Sequence, residues 1–163
     1  MQPRTHDTRG FGVIEIVIGV AILSIALFGL LAASQNFVLL SRRTNDLVQA
    51  NFLLSEGVES IRVMRDSGWT AYIAPLTVGG TYSPYFDGST WVSTTTPQIV
   101  DGRFERTFVV SAVERNTSDD IVASGGTVDP DTKKFTVQVS WHSDARGTTT
   151  LSFPTYFTNM HND

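Results

Sequence analysis

The chain has 163 residues, with 12 Lys plus Arg against 16 Asp plus Glu and no cysteine. An acidic chain offers no general attraction for nucleic acid, whose binding rests on Lys and Arg displacing counterions, so only a local patch is left for that partner. Without cysteine there is neither a disulfide framework nor a thiolate metal site.

The chain opens with MQPRTHDTRG, a polar leader ending in the small residue Gly10. Residues 11–33 then carry Glu15 as their only charge among Val, Ile, Leu, Ala, Phe and Gly. As a helix this run reaches about 35 Å, enough for a hydrocarbon core of about 30 Å. A secretory signal peptide puts its small-residue cleavage site after a shorter apolar run. Here the order is reversed, and a cut at Gly10 leaves the membrane helix attached. Basic residues do not set its orientation, because Arg4 and Arg9 before the run are matched by Arg42 and Arg43 after it.

Glu15 is the informative residue of this segment. An acidic side chain deep in a spanning helix costs about 2.5 to 3.5 kcal/mol, and such groups usually have a partner or a function. Its place just over one turn into the helix reduces that cost, since a helix N-terminus favours negative charge.

The string RG-FGVIEIVIGVAILSIALFGLLA, with Gly10 before the cut, Phe11 after it and Glu15 four residues further on, resembles the class III prepilin signal of type IV pilins and type II secretion pseudopilins. The usual family string continues after Phe with Thr or Ser and then Leu, so Gly12 and Val13 depart from it while the cleavage and assembly residues stand. The resemblance implies cleavage between Gly10 and Phe11 by a membrane prepilin peptidase on the cytoplasmic side, and N-methylation of Phe11. It also implies that Glu15 faces the amine of a neighbouring subunit and sets filament register. The partners implied are other pilin or pseudopilin subunits, the peptidase, an inner-membrane assembly platform and membrane lipid. The location implied is a single-pass inner-membrane protein with an extracytoplasmic C-terminal domain, later an extracellular or periplasmic filament.

Beyond the membrane run, Leu47, Ala50, Leu54, Val58, Ile61 and Met64 recur at spacings of three and four, which predicts an amphipathic continuation packed on a sheet. No proline lies between Pro3 and Pro75. One helix is therefore expected from Phe11 to about Asp66, with Gly68 as a C-cap. Gly19, Gly29 and Gly57 each weaken it by about 1 kcal/mol relative to Ala. The organisation is leader 1–10, transmembrane and assembly helix 11–34, amphipathic continuation 35–67, and a globular antiparallel β domain 68–163.

Residues 70–100, rich in Gly, Pro, Ser, Thr and aromatics, read as irregular connection with a short hairpin. Trp69, Tyr72, Tyr82, Tyr85, Phe86 and Trp91 form either a satellite core, the commoner outcome, or an aromatic binding surface. Phe104, Phe108, Val110 and Ala112 are expected on one face of a strand over 104–115. Phe135, Val137, Val139 and Trp141 alternate with polar residues in a second strand. Leu151, Phe153 and Phe157 continue in a third, joined to the second by a turn with Asp144 and Gly147. Pro154 belongs on an edge or at a bulge. The fold class is α+β: a long N-terminal helix whose second half packs on a small antiparallel sheet, the pilin-like arrangement.

No catalytic constellation stands out: after a cut at Gly10 only His142 and His161 remain as histidines, and there is no phosphate-binding loop or nucleophile elbow. The chain is read as no enzyme, with no cofactor and no metal. Asp119, Asp120, Asp129 and Asp131 are calcium candidates, but their spacing fits no EF-hand, and 129–132 reads as a turn before a strand at Lys133. His142 falls on a polar strand face. The function expected is that of a minor pilin or pseudopilin. Its competitors are a pilus-tip adhesin or DNA-uptake pilin, and an unrelated signal-anchored protein.

Overall fold

The computed structural model describes residues 12–143 and 147–160. The chain divides into two compact units, Met1–Asn45 and Asp46–Asp163. Helix α1, Val13–Ser67, contributes to both. An antiparallel sheet follows it in sequence, so the class is α+β.

In the first unit α1 is unbroken from Val13, in keeping with the absence of proline. The hydroxyls of Ser24 and Thr44 donate back to Val20 O and Leu40 O at 2.8 and 3.0 Å, which satisfies both within the helix.

In the second unit α1 buries Ala50, Leu53, Leu54, Gly57, Ser60, Ile61 and Met64. Of the expected stripe, Leu47 departs: it is 44% exposed, and Asp46 takes the buried place beside it. Asp46 is tolerated there because Arg103 donates to its Oδ2 at 2.6 Å. A Cβ on Gly57 would lie 2.7 Å from Val137 Cγ1 and 3.2 Å from Arg106 Cδ. Glycine here is thus a condition of close helix–sheet approach.

α1 ends at Ser67, and Gly68 follows with φ 144° and ψ 113°, a backbone that favours glycine. This differs from the left-handed C-cap expected, because the chain runs straight into a π-helical turn, Trp69–Ile73, that buries Trp69 and Ile73.

The sheet has seven strands among the described residues: β1 Thr81–Phe86, β2 Trp91–Thr94, β3 Ile99–Val100, β4 Phe104–Arg115, β5 Ile121–Val122, β6 Thr127–Ser143 and β7 Gly147–Thr158. Its main order is β2-β1-β4-β6-β7, with β3 and β5 also on β4. The three strands foreseen from alternation are the contiguous β4, β6 and β7, and the connection 70–100 adds the expected hairpin as β1 and β2. Asp87 Oδ1 closes that hairpin by accepting from Ser89 N and Thr90 N at 2.8 and 2.9 Å. Those two N–H groups hold the Asp87 carboxyl below its ordinary value.

β4 buries Phe104, Phe108 and Val110 as expected, but Ala112 is exposed and Val113 is buried in its place. The reason is a register shift between Ala112 and Glu114, which turns the strand's alternation over by one residue. The opposite side of the same irregularity corrects the reading of 129–132. These residues lie inside β6, and Val113 alone spans them, since Ala112 pairs with Lys133 and Glu114 with Val128.

β6 buries Phe135, Val137, Val139 and Trp141 on one face. In β7, Phe157 is buried and Leu151 half-buried, whereas Phe153 is 52% exposed. β7 is an edge strand, the place proline requires, and Phe153 and Pro154 both lie along it. Gly147 opens β7 at φ 73°, and Asp144 of the same turn lies outside the described residues.

Candidate assembly interface

The residues expected to carry cleavage and methylation, Gly10 and Phe11, lie outside the described residues. Glu15 lies in the first turn of α1, where its N–H donates to Gly12 O at 3.0 Å. The free N–H groups of that turn favour an anion there. Among the described residues Glu15 has no ion pair.

Around Glu15 the surface is apolar on every side. From Val13 to Leu40 every large apolar side chain is exposed within its unit. A helix apolar all round is stable only inside lipid or a bundle of other helices. By length and composition α1 is able to cross a membrane. A Cβ on Gly19 or Gly29 would meet no atom within 4 Å, so nothing within the described chain calls for glycine at either position, in contrast to Gly57.

The aromatic group divides. Trp69 is buried, and Tyr72, Tyr82 and Trp91 pack against the core, Tyr82 stacking on Phe108 with centroids 5.7 Å apart. Tyr85 and Phe86 remain exposed. The satellite core therefore accounts for four of the six, and the exposed pair makes no enclosed surface.

The four aspartates do not converge, and among the described residues no cluster of three or more His, Asp or Glu is placed to hold a metal. Asp129 Oδ2 accepts from Arg115 Nε at 2.7 Å, while Arg115 Nη1 donates to Asp119 O at 2.8 Å. Burial works to raise the Asp129 pKa. Hydrogen bonds from Arg115, Thr132 and Asp131 N–H, with the charge of Arg115, outweigh it and hold the carboxyl below its ordinary value. Asn116 Oδ1 accepts from Ser118 N and Asp120 N, which fixes a tight loop. His142 is exposed, as its strand position requires.

Three polar residues of the second unit were not legible as structural groups. Arg106 lies on the core face of β4, 4% exposed, with its Nη1 2.7 Å from Glu56 Oε2 and its guanidinium carbon 5.3 Å from the Trp91 ring centroid. Lys133 Nζ donates to Ile73 O, Ala74 O and Leu76 O at 2.9, 2.9 and 2.8 Å, closing the turn after α1. Asp46 is the third. Alternation did signal Arg106, since its parity matches Phe104 and Phe108, but its charge argued for the opposite face.

No protein-family model matches the chain, and neither a curated protein nor a solved structure is significantly similar to it.

Proposed function

We propose that this chain is a structural subunit, a minor pilin or pseudopilin, of a type IV pilus-like or type II secretion filament. It is made as a prepilin and cut between Gly10 and Phe11. α1 holds it in the membrane before assembly and packs among the helices of other subunits afterwards. The observation that carries this reading is one carboxylate, Glu15, without an ion pair among the described residues, in the first turn of a helix that exposes apolar side chains on every side.

In a water-excluding helix bundle, an anion at that position needs a cation, and the amine created at Phe11 of a neighbour supplies one. The pair offsets its own desolvation only when correctly aligned, so it selects one axial register. Gly19 and Gly29, which meet nothing within the described chain, suit close approach by neighbouring helices. The unit Asp46–Asp163 is then the extracytoplasmic domain. Its described residues carry no constellation that assigns it chemistry of its own.

The test is Glu15→Leu expressed with the host's other subunits. The variant should be cleaved and membrane-resident, because removing a charge favours insertion. It should be lost from sheared filaments, because breaking one side of a buried pair costs about 3 to 5 kcal/mol. Incorporation at the wild-type level, read by immunoblot, would remove the assembly role. Gly10→Leu should instead block processing and leave insertion intact, which mass spectrometry of the N-terminus reads directly.

A further inference from the structure

An aspartate directly followed by glycine occurs twice in the chain, at Asp87 before Gly88 and at Asp101 before Gly102. In such a pair the glycine nitrogen can close a succinimide ring on the aspartate carboxyl, because glycine has no Cβ to hinder the approach. The fold places the two pairs in opposite surroundings.

Asp87 is tied down. Its Oδ1 accepts from Ser89 N and Thr90 N at 2.8 and 2.9 Å, and its own N–H donates to Thr90 O at 3.1 Å. The two N–H groups on Oδ1 keep the carboxyl ionised, and an ionised carboxylate has no hydroxyl to lose. The flanking strands β1 and β2 pair over four residues each, from Ser83 with Thr94 to Phe86 with Trp91, so this turn opens only by disturbing a ladder.

Asp101 is exposed, and among the described residues no hydrogen bond or ion pair engages its carboxyl or the Gly102 N–H. Its turn is closed by Arg103 N donating to Val100 O at 3.1 Å, and carries positive φ at both central residues, 53° at Asp101 and 65° at Gly102. That backbone is uncommon for a residue with a side chain. β3, which enters the turn, is two residues long, and its Ile99 is exposed. Short elements with few buried contacts are where a fold opens most readily. Rotation about the Asp101 Cα–C bond, which brings the Gly102 nitrogen to the carboxyl, is therefore easier here than at Asp87.

We propose that Asp101 is a site of covalent self-modification, the isomerisation of aspartate to isoaspartate, and that Asp87 is shielded from the same reaction by its own turn. The Gly102 nitrogen attacks Asp101 Cγ and an N–Cγ bond forms. The carboxyl hydroxyl leaves as water, taking the amide proton. A water molecule then opens the ring. Cleavage of N–Cγ restores aspartate, whereas cleavage between the Gly102 nitrogen and the main-chain carbonyl carbon of Asp101 leaves the chain running through Cγ. Water lost in the first step is regained in the second, so mass is unchanged and nothing is oxidised or reduced. The product lengthens the turn by one backbone carbon. Arg103, at the end of that turn, holds Asp46 of α1 at 2.6 Å, so the modification bears on the sheet's grip on the helix.

The test keeps the full-length protein, in detergent, warm in mildly acidic buffer. Samples are then unfolded and digested with an endoprotease that cuts before aspartate and not before isoaspartate. Cleavage before residue 101 should be lost progressively, while cleavage before Asp87 stays near its starting level. A chain aged in denaturant is the reference: with both turns melted, the two sites should lose cleavage at similar rates. Asp101→Asn passes through the same ring and sheds ammonia, a mass change read directly, and in the folded protein it should do so faster than Asp87→Asn. Equal loss at both sites in the folded protein, faster loss at Asp87, or an Asp101 that isomerises only in denaturant overturns the proposal.

Discussion

Arg106 of β4 reaches Glu56 of α1 at 2.7 Å, and this pair joins the sheet's core face to the helix beside Gly57. The Arg106 side chain is 5% exposed and neither its Nε nor its Nη1 has a hydrogen-bond partner, so the close charge of Glu56 is what offsets a buried cation. Glu56 itself is 48% exposed. Removing one partner of a fully buried pair costs about 3 to 5 kcal/mol, and exposure to water lowers this, so Glu56→Ala should lose about 1 to 3 kcal/mol. Arg106→Met in the Glu56→Ala background should recover much of the loss, because the stranded cation is gone. Denaturant midpoints of wild type, Glu56→Ala, Arg106→Met and the double variant check this, and strictly additive losses would show the two residues to be uncoupled.

Gly57 gives a prediction against its own propensity. Replacing a mid-helix glycine by alanine gains about 1 kcal/mol. At Gly57 the new methyl would meet Val137 Cγ1 at 2.7 Å and the Arg106 stem at 3.2 Å, and both of these residues are buried. Overpacking costs about 1 to 3 kcal/mol, so Gly57→Ala should be destabilising overall, with Val137→Ala as a partial rescue. Gly19→Ala, where nothing lies within 4 Å, should leave the stability of the sheet domain unchanged. The comparison is made by thermal denaturation followed through tryptophan fluorescence.

A third prediction concerns acid. Asp129 is 16% exposed and bound to Arg115, and its pKa lies below the ordinary 3.8. A carboxyl whose folded pKa is depressed contributes stability that is fully present above the unfolded value and is lost as pH falls through the folded one. Asp129→Asn should therefore cost about 1.5 to 3 kcal/mol at neutral pH, the range for a hydrogen bond to a charged group. The gap to wild type should close below pH 3.8. A gap that persists unchanged at lower pH would assign the loss to packing.

The parts of the fold that were legible follow from single-period patterns. The apolar run after Gly10, the stripe through Ala50, Leu54, Ile61 and Met64, and the alternation of Phe135 to Trp141 each depend on one element meeting one environment. The misreadings fall where two elements compete. Ala112 loses its place because an irregularity opposite 129–132 shifts the strand by one, a feature no local period encodes. Phe153 is apolar and in phase, yet stays exposed because its strand is an edge that α1 covers incompletely. Arg106 and Asp46 take core positions that their charge argues against, because each finds a counter-ion distant in sequence. Glu15 was legible as an anomaly for the complementary reason, that nothing local explains it.

Lys133 closes the set. Its ammonium donates to three carbonyls at the exit from α1, those of Ile73, Ala74 and Leu76, two of which belong to buried residues. Lys133→Met keeps the stem and removes the donors, so it should lose about 1 to 2 kcal/mol at pH 7. Lys133→Arg should not restore this, because a planar fork cannot reproduce three bonds from one nitrogen. The pH dependence has a definite sign. Burial lowers the Lys133 pKa from 10.5, so between the folded and unfolded values the unfolded chain binds more protons, and stability from this group rises with pH through that window. The difference between wild type and Lys133→Met should therefore widen as pH climbs toward 10.5, since other alkaline effects cancel in the comparison. A difference that narrows instead would mean that the three carbonyls hold the ammonium more strongly than burial disfavours it.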